Sequence, residues 1–159
     1  MSVSTDAILF YGWCIEEGTE LPWDDEKYDG DIDEWWRAVN GYVPPFEPFD
    51  DDGGGYAEGF SEDDPRVDEY FEHRRAWDED HPLPFELVCH CSNECTMYGI
   101  AVLGTNVTAS RGYPKRVRRS HVSLTKRILR ELDKTIVACV KHGVELKGPP
   151  KWWLCSYWG

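Results

Sequence analysis

From Glu16 to Val88 the chain carries 25 Asp and Glu against 5 Lys and Arg, a net charge of −20. Charge at this density must stay solvated, because burying an unpaired carboxylate is far costlier than burying an apolar group is favourable. The stretch therefore reads as surface helices and loops inserted into a fold whose strands come from the weakly charged segments on either side. The opposite sign gathers later. Asn106–Gly159 has 12 basic and 3 acidic residues, and the eight Lys and Arg between Arg111 and Arg130 have no acid among them. Two arrangements satisfy this division. Either the acidic half folds against the basic segment and leftover charge keeps the protein in solution, or the two lobes face outward and meet different partners.

A chain of 159 residues with 41% hydrophobic and 14% aromatic content can build a core despite its net charge of −13. Its 8 Trp are expected mainly in that core, since each buries a large area. The longest apolar run, near Ala7–Ile15, is far below the roughly 20 residues that a spanning helix needs. Met1–Asp6 has no basic n-region, so no secretory signal is expected. The 6 cysteines then read as reduced thiols.

Along the chain, Asp6–Ile15 predicts a buried strand, with Gly12 at a bulge or close approach. Asp31–Glu34 opens a short helix that ends before Gly41, with Trp35, Trp36 and Val39 at helical spacing. Pro44–Asp63 reads as a loop. Asp64-Pro65 starts a second helix, with Val67, Tyr70, Phe71 and Trp77 as its apolar stripe and His81-Pro82 as its stop. Three strands follow: Phe85–Cys91, Thr96–Gly104 and Asn106–Ser110, the first two joined by a turn at Ser92–Cys95. A third helix is predicted after a Ser123 cap, with Leu124, Ile128, Leu132, Ile136 and Val140 on one face and Gly143 beyond its end. Trp152–Trp158 closes the chain as a strand. The order β-α-α-β-β-β-α-β predicts one α+β domain with a mainly antiparallel sheet and residues 16–84 as an acidic helical and loop insertion.

Four groups of residues invite a chemical reading. Cys89, Cys91 and Cys95 bring three sulfurs near one turn, with His90 between the first two and Cys139 and His142 available from the third helix. Thiolate and imidazole are zinc ligands, but this spacing is not a Cys-x2-Cys knuckle, and strand alternation points His90 away from both neighbours. Structural cysteines are the simpler expectation, with no cofactor and zinc as the exception. A Cys91 nucleophile would need a base such as His121 or His142, because His90 points away. Arg111, Arg116, Arg118, Arg119 and Lys126 lie on the approach to the third helix, where guanidiniums beside free helix N–H groups suit a phosphorylated nucleotide. Asp50, Asp51, Asp52, Glu62 and Asp63, with Tyr56 and Phe60 among them, combine aromatic anchors with an acidic rim, as a protein-binding surface requires. The Asp50–Gly55 run fails as a calcium loop, since position twelve of that register is Ser61 and no helix pairs before it. No Walker, nucleophile-elbow or His-Glu-x-x-His pattern is present.

The opening STDAILFYGW, the central HCSNECTMYGIAV, the RGYP at Arg111–Pro114 and the ending WWLCSYWG resemble a family of small proteins encoded by bacteriophages and prophages. The acidic Glu16–Pro84 stretch lies outside that resemblance. The resemblance implies a phage origin, a place in the cytoplasm of an infected bacterium, and no catalytic residues. By analogy with other highly charged phage proteins, it implies a non-enzymatic inhibitor of a host or defence protein. The acidic surface would compete for a protein that normally binds nucleic-acid phosphate. The alternatives are a nucleotide-sequestering protein using the basic segment and a small Cys/His enzyme or zinc protein. Neither a membrane nor nucleic acid itself is an expected partner.

Overall fold

The apolar run at the start of the chain forms β1, Thr5–Cys14, the strand around which the sheet is built. A computed structural model describes residues 5–50, 55–92 and 96–158. After β1 come α1 (Ile32–Val39), α2 (Pro65–Asp80), β2 (Glu86–Ser92), β3 (Thr96–Ala101), β4 (Val107–Ala109), a 3₁₀ turn (Arg119–Val122), α3 (Lys126–Lys141) and β5 (Lys151–Trp158). The fold is α+β with a mostly antiparallel sheet, in the predicted order with the 3₁₀ turn added. The turn expected at Ser92–Cys95 falls largely on residues 93–95, outside the described residues. Two compact units can be distinguished: Met1–Asp24 with Pro84–Gly159, and Asp25–Leu83.

In the first unit the sheet closes on itself. β1 pairs antiparallel with β5 from Thr5↔Trp158 to Gly12↔Lys151, and its end pairs with β3 from Gly12↔Ala101 to Cys14↔Gly99. β3 pairs antiparallel with β2, and β2 meets β5 in parallel at Cys91↔Tyr157 and Ser92↔Trp158. The circuit β1-β5-β2-β3 returns to β1, while β4 pairs with the first half of β1. Closure pairs strand edges that an open sheet would expose.

Side-chain alternation then sorts each strand into two faces. Ile8, Phe10, Val88 and Ala101 form one buried cluster, with Cys14, Trp153, Cys155 and Tyr157 packed against it. Phe10 is fully buried. Two glycines make room for this cluster. A Cβ on Gly99 would enter the Phe10 ring, and one on Gly12 would collide with the Ile100 carbonyl. Thr105, also buried, accepts from the Tyr11 N–H at 3.2 Å, and its hydroxyl lies 2.6 Å from the Val102 carbonyl oxygen. On the other face of β1, Tyr11 packs against Trp152, and Trp13 donates from Nε1 to the Gly148 carbonyl at 2.9 Å.

The expected role of tryptophan holds at Trp13, Trp23 and Trp35, all buried, but Trp158 is exposed at the end of β5. Trp23 lies in the polar connection after β1 and is nonetheless buried against Phe85.

α3 departs from its sequence reading in two ways. Its cap is Thr125, whose hydroxyl accepts from the Ile128 N–H at 3.3 Å. Ser123 instead donates to the Arg119 carbonyl at 2.7 Å and so ends the 3₁₀ turn. The buried positions are Ile128, Thr135, Ala138 and Cys139, whereas Leu124, Ile136 and Val140 are exposed. A stripe of strict four-residue steps drifts about 40° per step on a helix of 3.6 residues per turn, so it cannot stay on one face for four turns. Thr135 is fully buried, with its hydroxyl 2.8 Å from the Pro84 carbonyl oxygen.

The second unit holds α1 and α2, which start where predicted, each behind an aspartate cap. Asp31 accepts from the Asp33 and Glu34 N–H groups at 2.8 and 3.0 Å, and Asp64 accepts from Arg66 at 2.9 Å. Trp35 is buried on α1, and Val67 and Tyr70 are buried on α2, while Phe71 sits at the edge of the stripe and is exposed. The unit also buries a charge. Arg37, 7% exposed, donates from Nε and Nη2 to the two carboxylate oxygens of Asp78 at 2.7 and 2.8 Å. This bidentate pairing keeps the guanidinium charged against the desolvation that opposes it. Arg74 reaches Glu34 at 2.6 Å, so two ion pairs join α1 to α2.

Candidate functional site

Strand alternation turns Val88 and His90 inward and Cys89 outward on β2. Inward-facing His90 meets two thiols from other strands. The ligand atoms of Cys14 on β1, His90 on β2 and Cys155 on β5 all lie within 4.8 Å of one another. This triad can hold a metal ion. The Cys14 and Cys155 thiols are hydrogen-bonded to each other. Burial, with the neighbouring Cys155 adding to it, pushes the Cys14 thiol up to about 12. Burial also raises Cys155, against the opposing hydrogen bond with Cys14. It lowers His90, opposed by a hydrogen bond to the Tyr98 backbone. His90 Nε2 is buried and has no hydrogen-bond partner among the described residues, which leaves Nδ1 for the Tyr98 bond.

The sulfur group read from the sequence is placed differently. Cys89 is exposed and takes no part in this triad, and Cys95 lies outside the described residues. Cys91 is half-buried and has a left-handed backbone, φ 79°. That conformation is uncommon for a residue with a Cβ, and it breaks the simple alternation of β2. Cys139 is fully buried on α3, and His142 caps the C-terminal end of that helix. The proposed bases for Cys91 are also placed elsewhere: His121 accepts from the Arg118 N–H at 3.3 Å inside the 3₁₀ turn.

The basic segment is exposed from Arg111 to Ser120. Among the described residues, Arg116, Arg118, Arg119 and Lys126 form no ion pair, while Arg111 has a partner. The segment runs irregularly into the 3₁₀ turn, and only Lys126 lies at the α3 N-terminus. The five cations are therefore not gathered at one helix end.

The acidic surface belongs to the Asp25–Leu83 unit, which carries 20 Asp and Glu against 5 Lys and Arg. Glu58, Glu62, Asp63, Asp68, Glu69 and Glu72 are all exposed and form no ion pair among the described residues. Asp50 closes its loop through the Gly55 backbone, and Asp51 and Asp52 lie outside the described residues. Of the two predicted aromatic anchors, Tyr56 is exposed and Phe60 is only partly so. Phe60 stacks on Phe46 beneath the Arg66 guanidinium, and Tyr70 and Trp35 are buried. Tyr56 and Phe71 remain exposed, each packed against Phe49.

The chain is thus an α+β protein with a closed sheet around a Cys/His/Cys triad and a separate acidic unit. No family model, curated protein or solved structure matches it. No described helix is long and apolar enough to cross a membrane.

Proposed function

We propose that this chain is a non-enzymatic binding protein that docks its acidic unit on the basic, phosphate-binding surface of a nucleic-acid-handling protein. In the setting its sequence resemblance implies, that partner is a host or defence protein of a bacterium, and docking inhibits it. The observation that carries this reading is the concentration of unpaired, exposed carboxylates on the Asp25–Leu83 unit, whose net charge is −15. A surface of this sign attracts proteins that normally hold phosphates, and such encounters are steered and strengthened by long-range charge. Tyr56 and Phe71 supply apolar contact among the acids. With only two such anchors, the complex should depend strongly on salt. Capture from a bacterial lysate near 50 mM salt should return a basic protein that is lost near 500 mM, roughly where the screening length falls below 5 Å. Added chain should then release duplex DNA or RNA from the captured protein. Capture that persists at high salt, or leaves nucleic-acid binding untouched, argues against this reading.

A second reading is favoured by the exposure of Arg116, Arg118 and Arg119, which form no ion pair among the described residues: a phosphorylated nucleotide bound by this basic segment. Thermal-shift measurements with mono-, di- and cyclic nucleotides should then show stabilisation that disappears in Arg116→Ala/Arg119→Ala. A flat response across all three classes removes this reading.

A further inference from the structure

Two thiols and one imidazole meet where β1, β2 and β5 converge, and one imidazole nitrogen there has no hydrogen-bond partner among the described residues. The Cys14, His90 and Cys155 ligand atoms fall within 4.8 Å of one another. His90 is 9% exposed, and its Nε2 is buried and unbonded. A buried nitrogen normally finds a hydrogen bond, so one without a partner beside two sulfurs calls for an explanation. A metal ion supplies it. The other ring nitrogen is held by the Tyr98 backbone, the outer-shell contact that fixes a ligating imidazole in its ring orientation and tautomer.

A further thiol, Cys91, stands next to His90 in β2, outside the group of three. It pairs with Tyr157 two residues beyond Cys155, and is near enough for its charge to act on the Cys155 thiol. Its left-handed backbone and half-buried thiol depart from the outward position that alternation would give it. A non-glycine residue is strained in that conformation, and such strain gathers where a side chain must be aimed.

We propose that Cys14, His90 and Cys155, with Cys91 in the fourth position, form a structural site for zinc or a zinc-like thiophilic divalent ion. The donor set selects the metal: thiolate and imidazole suit zinc and exclude calcium and magnesium, which take oxygen. Four protein ligands and a buried position make the site closed, so its role is to staple the sheet. It ties the first and last strands of the chain to β2. Binding converts up to three thiols to thiolates and releases their protons to solvent, while His90 binds through its neutral Nε2.

The test uses the full chain, purified under reducing conditions. Metal analysis should find about one equivalent of zinc. Replacing it with cobalt(II) should give the intense visible bands of a tetrahedral ion together with sulfur-to-cobalt charge transfer. Cys14→Ser and Cys155→Ser should each fall below about a tenth of an equivalent, whereas Cys89→Ser, which removes an exposed thiol on the same strand, should retain the ion. Cys91→Ser should weaken the charge-transfer band and lower affinity by about 10-fold or more, since losing even an outer-shell partner costs about that much. The cobalt spectrum of the unsubstituted chain decides the matter even if a variant fails to fold. Less than about a tenth of an equivalent of zinc, together with no tetrahedral cobalt–thiolate spectrum, overturns the site. Full retention of metal in both Cys14→Ser and Cys155→Ser also overturns it. An unchanged cobalt spectrum in Cys91→Ser overturns the assignment of the fourth ligand.

Discussion

Gly12→Ala is expected to lower the unfolding free energy by about 3 kcal/mol or more, measured by urea denaturation of the full chain. The reason is a backbone collision and not a lost contact. A Cβ at this position would overlap the Ile100 carbonyl oxygen and come within 3.0 Å of its carbon. Neither atom can swing aside as a side chain would, because Ile100 is held in register by Trp13 on β1 and Leu87 on β2. Gly12 is also where β1 leaves its pairing with β5 and takes up β3, and its own carbonyl accepts from Trp153 Nε1 at 3.0 Å. Relief of the collision would therefore open the contact that closes the sheet. A loss below about 1 kcal/mol would mean that this closure is not tight at Gly12.

Phe10→Ala is expected to cost about 4 kcal/mol, within the range for truncating a fully buried aromatic. The ring fills the space over Gly99 between β1 and β3, and the cluster of Ile8, Val88 and Ala101 surrounds it. Rigid paired strands can collapse only partly into the cavity, so both transfer and cavity costs are incurred. The same geometry predicts a coupling. Gly99→Ala alone should destabilise the protein by roughly 2 kcal/mol, because its Cβ enters the Phe10 ring. In the Phe10→Ala background that penalty should fall by more than about half, since the ring is gone. Additive effects would show that Phe10 and Gly99 do not share one space.

What the residues revealed in advance was mostly local. Asp31 and Asp64 announce helix starts because an aspartate cap acts within three residues. Of the bulge or close approach that Gly12 suggests, the close approach is the one seen, against the Ile100 carbonyl. The choice between Ser123 and Thr125 was not legible, because both hydroxyls sit beside helical turns and the tertiary fold sets their partners. Nor was the burial of Trp23 within a run of acids, which depends on Phe85, far along the chain.

The triad shows the same limit more sharply. The Cys89-His90-Cys91 run drew attention to the right strand, and alternation correctly separated His90 from Cys89. The other members of the triad, Cys14 and Cys155, lie at opposite ends of the chain and come together because the circuit of β1, β5, β2 and β3 closes. Both occupy dense apolar strand segments, and that was the one local signal available. The charge asymmetry, by contrast, was fully legible. Its weight falls on the Asp25–Leu83 unit, while the rest of the chain carries only a small positive net charge.

The proposed function rests on that acidic unit, and one comparison tests it most directly. Glu58→Gln, Glu62→Gln, Asp63→Asn and Glu69→Gln together remove four charges from the unit. Glu17→Gln, Glu20→Gln, Asp133→Asn and Glu145→Gln remove four exposed charges outside it. Both variants reach the same net charge, and both are titrated against the partner captured at low salt. The first should weaken binding by about 10-fold or more and the second by less than about 2-fold, because charge at the contact contributes far more than distant, screened charge. Equal weakening in the two variants, or none in the first, would contradict a docking surface on the acidic unit.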